Sequence, residues 1–126
     1  QIEKDLIYYA ERVPERDTPA MTQAIFALLY SRMGNTDRAY HWFEDAYKPN
    51  KLPPFGVLAE TKGGDNPFFL TGAGGILQTV LMGFGGLAVK PNGEVYKKNS
   101  VMPKHWKRLT IKGVGKDRKT FVRVNK

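Results

Sequence analysis

Apolar residues recur at three- and four-residue steps through most of the first half of the chain, and at two-residue steps near its end. Residues 1–12 carry Ile2, Leu6, Ile7 and Tyr9, which predicts a short helix or the end of a longer one. Asp17-Thr18-Pro19 has the form of a helix start, a side-chain oxygen at the N-cap and then proline near the first helical position. From there Ala20, Met21, Ala24, Ile25, Ala27, Leu28 and Leu29 make a broad apolar face with few charges, so this helix is expected to be buried on most sides. Gly34 ends it, and Asn35-Thr36-Asp37 starts the next. Ala39, Trp42, Phe43, Ala46 and Tyr47 keep the helical spacing until Pro49-Asn50 stops it. Two antiparallel helices joined by a tight turn are predicted.

Positions 68–89 hold 22 residues without a charge, which raises a membrane span. Six glycines, at 72, 74, 75, 83, 85 and 86, break the run, and Gln78 sits inside it. The uninterrupted helix, 74–82, is too short to cross roughly 30 Å of hydrocarbon. A buried core helix is expected instead, with no membrane partner. Thr71-Gly72-Ala73-Gly74-Gly75 is not a phosphate loop, because Gly-Lys-Ser/Thr is missing and the third glycine of a dinucleotide fingerprint would fall at Leu77. These glycines are expected to permit close helix packing and a helix terminus facing the neighbouring loop.

After Gly86 the texture changes to strands. Leu87-Ala88-Val89, the turn Lys90-Pro91-Asn92-Gly93 and Glu94-Val95-Tyr96 make a hairpin. In 106–114, Leu109 and Ile111 alternate with Arg108, Thr110 and Lys112, and Gly115-Lys116-Asp117-Arg118 turns the chain into 120–124. Helices first and antiparallel strands last define an α+β chain, with the shift near Gly86 as its one plausible boundary.

Charge is split along the chain. Residues 1–87 hold 8 Lys/Arg against 10 Asp/Glu, net −2, whereas 88–126 hold 12 against 2, net +10. A basic tail can track phosphates. This one lacks interleaved stacking aromatics and any nucleic-acid motif, so a small β module with lysines on its wet face is expected and nucleic acid is not. The absence of cysteine excludes disulfides and thiolate metal sites, and His41 and His105 lack neighbouring ligand spacing, so no metal or cofactor is expected. The chain begins with Gln1 and shows no signal-peptide pattern, from which we expect a fragment of a longer protein. The residues assign no compartment, and a periplasmic or secreted parent stays open.

The candidate chemistry lies in Pro53-Pro54-Phe55-Gly56-Val57-Leu58-Ala59-Glu60-Thr61. Here one carboxylate, Glu60, sits in a loop closed by a double proline before it and Lys62-Gly63-Gly64 after it. With the apolar run beside it, Glu60 is expected near an apolar wall, an environment that tunes an acid or base. The plainer alternative is a solvated loop glutamate. Lys62 either pairs with Glu60 or faces solvent. Phe55 is a candidate sugar-stacking ring, and Asp65 and Asn66 are candidates for contacting substrate hydroxyls or for shaping the turn. Gln78 is expected to bind a loop backbone, and Trp42, by its helical spacing, to be core.

Leu29-Tyr30, Met33-Gly34-Asn35, Ala39, Phe43, Ala46 and Pro49 imitate one tetratricopeptide repeat, but such units need stacked copies and no second one is present. A wider resemblance covers nearly the whole chain. Its strings are Pro19-Ala20-Met21-Thr22, Ala39-Tyr40 with Phe43, Pro53-Pro54-Phe55 with Leu58-Ala59-Glu60, Phe69-Leu70-Thr71-Gly72-Ala73-Gly74-Gly75 with Leu77-Gln78, Gly83-Phe84-Gly85-Gly86-Leu87, and Trp106-Lys107-Arg108-Leu109-Thr110-Ile111-Lys112-Gly113. Together these resemble glycoside hydrolase family 65, in its branch of acid trehalase-like, kojibiose hydrolase-like and glucosylgalactosyl-hydroxylysine glucosidase-like enzymes.

The resemblance implies that 1–86 are the C-terminal helices of a catalytic (α/α)6 barrel and 87–126 a small C-terminal β module. It implies an inverting hydrolase acting on a glucosyl disaccharide or glucoconjugate, with Glu60 matching the general base that activates water. Substrate contacts are expected at Phe55, Lys62 and Asp65. In the phosphorylase branch this region is a phosphate-binding loop rich in Ser/Thr and Gly, and a carboxylate at 60 would repel phosphate. The general acid belongs to earlier barrel loops absent from this chain, so the isolated piece is expected to be inactive and prone to self-association. A phosphorylase of the same family and a non-catalytic helical interaction module are the alternatives.

Overall fold

A computed structural model describes residues 1–14 and 18–125. Helices α1 (Ile2–Ala10), α2 (Ala20–Arg32) and α3 (Thr36–Tyr47) lead, and α4 (Leu70–Gln78) follows after two short strands, β1 (Lys51–Leu52) and β2 (Val57–Leu58). Two further antiparallel pairs close the chain, β3 (Leu87–Val89) with β4 (Val95–Lys97), and β5 (Arg108–Val114) with β6 (Lys119–Val124). The α+β class expected from the pattern is the class observed.

The turn between α2 and α3 follows the sequence closely. Gly34 takes φ 84°, the left-handed conformation that ends helices, and the Asn35 side chain accepts a hydrogen bond from the Arg38 N–H at 3.1 Å. The start of α2 differs from expectation. Pro19 is itself the N-cap and offers no side-chain cap, while the Thr18 hydroxyl donates backwards to the Pro14 carbonyl; Asp17 lies outside the described residues. With no side-chain acceptor in place, the first helical N–H, that of Ala20, donates instead to the Glu60 carbonyl at 2.8 Å.

Small residues set how close the helices come. Built onto Gly72, a Cβ would lie 2.9 Å from the Ala20 Cβ, and one on Gly75 would lie 3.0 Å from the Ala24 Cβ. The glycines of α4 therefore meet the alanine stripe of α2 in direct backbone approach, the packing expected of them. The helix itself begins four residues before the expected 74 and does not run evenly to 82. Beyond Gln78, residues Thr79–Phe84 form a π turn. The buried Thr79 hydroxyl lies 2.8 Å from the Ala24 carbonyl and 2.9 Å from that of Gly75, and the Gly85 N–H reaches back five residues to Val80. Among the described residues no helix is long and apolar enough to cross a membrane.

The core crosses Gly86. Phe43 of α3 meets Phe84 at 5.1 Å and Trp106 at 6.0 Å between ring centroids, and Phe84 and Trp106 stand 5.3 Å apart. Met102 is buried in the same cluster, and Leu109 packs on it. Polar latches tie the same parts together. Arg32 donates to the Leu87 carbonyl at 2.6 Å, Val101 N–H donates to the Ser31 carbonyl at 2.9 Å, and Arg123 donates to Ser100. Burial pushes both guanidiniums below their ordinary values. Trp42 packs on Phe26 at 5.0 Å, as its helical spacing suggested.

Among the described residues two apolar surfaces stay open. On α2 the buried positions are Ala20, Gln23, Ala24, Ala27, Tyr30 and Ser31, whereas Ile25, Leu29 and Met33 are exposed. The helix is thus not buried on most sides. Its small residues face α3 and α4, and the large stripe lines an apolar groove of about 450 Å³ with Ile2, Leu6 and Tyr9 of α1. The other surface is the site loop.

Candidate functional site

Glu60 lies where three segments are stitched together. The antiparallel pairing of Lys51 with Leu58 and Leu52 with Val57 turns through 53–56, with Gly56 at φ 70° and its N–H donating to the Leu52 carbonyl at 2.8 Å. Ala59, fully buried, donates its N–H to the Asn50 carbonyl at 2.8 Å, and Phe69 N–H donates to the Leu58 carbonyl at 2.9 Å. The backbone leading into Glu60 is therefore held from both sides. On the next residue the Glu60 carbonyl takes the Ala20 N–H at 2.8 Å and, more weakly, the Asn50 amide at 3.5 Å. Backbone position at 60 is set by the start of α2 rather than by α4.

The side chain is half-buried and held at one oxygen. Asn66 accepts from the Glu60 N–H at 3.2 Å and donates to Glu60 Oε2 at 3.2 Å. No described residue donates to Oε1. A carboxylate with one oxygen tethered and the other open can accept a proton from a bound water.

Of the other candidates, Lys62 and Asp65 share the loop but are exposed and make no hydrogen bond to Glu60; among the described residues no ion pair joins Lys62 to it. Phe55 sits at the hairpin tip, 90% exposed, with its ring free to meet a ligand. Gln78 does not bind a loop backbone. It is exposed on α4, and its amide points along its own helix toward Met82 Sδ at 3.7 Å.

The apolar wall expected beside Glu60 is displaced. A depression of about 310 Å³ is lined by Gly56, Val57, Leu58, Phe68, Phe69, Leu70 and Ala73, and Glu60 is not part of its lining. Phe68 is the feature the sequence concealed. It is 78% exposed at φ 63°, a left-handed backbone that costs a bulky residue about 1–3 kcal/mol. The kink lets Phe69 N–H reach Leu58 while presenting the Phe68 ring outward. Only its place after Pro67 and before a helix start hints at this in the sequence.

Beside this geometry stand the relationships of the chain to known proteins. No family model matches it. It is, however, 62% identical over 122 residues, 97% of its length, to a kojibiose hydrolase of Flavobacterium johnsoniae. To a protein-glucosylgalactosylhydroxylysine glucosidase of Danio rerio it is 35% identical over 111 residues, 87% of its length. A kojibiose phosphorylase of Halothermothrix orenii is 28% identical over 110 residues, again 87% of the chain. The chain is a glycoside hydrolase family 65-like sequence. It spans 18%, 16% and 13% of the lengths of these three relatives.

Proposed function

We propose that the chain is the C-terminal part of an inverting α-glucoside hydrolase in which Glu60 is the general base. Residues 1–86 supply the last helices of an (α/α)6 barrel, and 87–126 supply a small β module. The observation that carries this reading is the Glu60 carboxylate, tethered by Asn66 at Oε2 with no described donor on Oε1. Oε1 takes a proton from a water whose oxygen attacks the anomeric carbon, on the face opposite the scissile bond. As that bond breaks, the leaving oxygen takes a proton from an acid supplied elsewhere in the parent protein. Water-mediated inversion needs the two carboxyl groups about 6.5–9.5 Å apart. One carboxylate cannot meet that requirement, so the chain alone is inactive.

The substrate class is a glucosyl disaccharide or glucoconjugate, and the 62% identity to kojibiose hydrolases makes kojibiose the first compound to test. Phosphorolysis is disfavoured because a carboxylate at 60 repels an approaching phosphate. The test is the full-length protein with kojibiose, in buffer with and without inorganic phosphate, with the first-formed sugar read by proton NMR before it mutarotates. β-Glucose at a rate independent of phosphate is expected. Glucose 1-phosphate would transfer the protein to the phosphorylase branch, and α-glucose would refute inversion.

A further inference from the structure

We infer that Asn66 is a positioning residue that orients the Glu60 carboxylate, an inference that rests on the reading of Glu60 as the base. The side-chain amide of Asn66 spends both of its ends on one residue, its oxygen on the Glu60 N–H and its nitrogen on Oε2, each at 3.2 Å. The orientation is fixed by chemistry. A backbone N–H can only donate, so the amide oxygen must face it, and the NH₂ is left for the carboxylate. The bracket closes a ring from the backbone of residue 60 to its own carboxylate, so the side chain cannot rotate without breaking a bond. One oxygen is occupied and the other is presented.

The loop is built to bring Asn66 back over six residues. Gly64 N–H donates to the Thr61 carbonyl at 3.0 Å, and Gly63 takes φ 74°, the positive φ that a turn of this kind needs at its third position. Gly64 is closely packed, since an added Cβ would stand 3.0 Å from Thr61 Oγ1 and 3.3 Å from Asn66 Oδ1 and would press on both. Pro67 then keeps Asn66 extended. Aspartate at 66 would preserve the bond from the Glu60 N–H but set a second carboxylate against Oε2. The amide separates the two roles of the residue, shaping the loop and holding the base.

The experiment measures kcat and KM of the full-length protein on kojibiose for Asn66→Asp, Asn66→Ala, Glu60→Gln and the double variant Glu60→Gln/Asn66→Asp, with the melting temperature of each. Asn66→Asp is expected to fold, to lose about 10–100-fold in kcat through misplacement of the base, and to keep its KM. Asn66→Ala should do the same and serves if Asn66→Asp does not fold. The double variant should be no slower than Glu60→Gln, because Asn66 acts only through Glu60. Normal kcat in a folded Asn66 variant, a loss confined to KM, or losses that multiply in the double variant would each overturn the inference while leaving the base reading intact. Normal turnover in Glu60→Gln would remove the base reading and the inference with it.

Discussion

Single glycines in the uncharged run carry opposite expectations. Gly86 sits at φ 71°, and a Cβ there would lie 2.7 Å from the Lys98 carbonyl oxygen and 2.9 Å from Ser100 Oγ. Gly86→Ala should therefore destabilise the protein by about 1–3 kcal/mol, combining left-handed strain with overpacking against backbone. Gly74 lies on the exposed side of α4 with nothing within 4 Å of an added Cβ. Gly74→Ala should raise stability by about 0.5–1 kcal/mol, because alanine loses less chain entropy on becoming helical. Thermal melting of both variants checks the pair, and equal effects would contradict the close-packing account of this run. At this scale the shaped loop that holds Glu60 was legible in the sequence, because prolines and glycines bracket it. Its tie to Asn66 was not, since that bond depends on the φ of Gly63 and the crowding at Gly64, which no local pattern encodes.

At the scale of elements, α2 and α3 were legible because Gly34 and Asn35 are strong local punctuation. The course of α4 was not. Its π turn depends on Thr79 bonding the Ala24 carbonyl of another helix, and its early start depends on Phe69 docking on Leu58. The end of α3 offers a pH test. The hydrogen bond from Lys48, then that from Tyr40, holds Glu44 below the usual glutamate value, and the same bond with Glu44 raises Lys48. A depressed carboxylate stabilises above its unfolded pKa and loses that contribution as pH falls through its folded pKa. A raised lysine stabilises below its unfolded pKa and loses its share as pH rises through its folded one. The pair therefore stabilises α3 across neutral pH and weakens at both extremes, less so in high salt because it is solvent-exposed. Carbon-detected NMR titration should place Glu44 below the ordinary range, and Lys48→Met should move it back up.

For the whole molecule, the sequence conveyed the order of helices and strands but not how they share a core. Trp106 enters the aromatic cluster of Phe43 and Phe84 through long-range contacts that periodicity cannot reveal. Two apolar surfaces remain, the stripe of Ile25, Leu29 and Met33 beside α1 and the exposed Phe55, Phe68 and Leu70 around the site loop. A typical soluble monomer tolerates a contiguous apolar patch of a few hundred Å², so the isolated chain should self-associate. Light scattering across a concentration series should show a rising mass, and a constant monomer mass would argue against barrel helices packing on these faces. The proposed hydrolysis turns on Glu60. Replacing it with glutamine in the full-length protein keeps its shape and removes its basicity, so hydrolysis of kojibiose should fall about 10²–10⁴-fold with folding unchanged. Turnover near that of the wild type in a folded Glu60→Gln protein would contradict it.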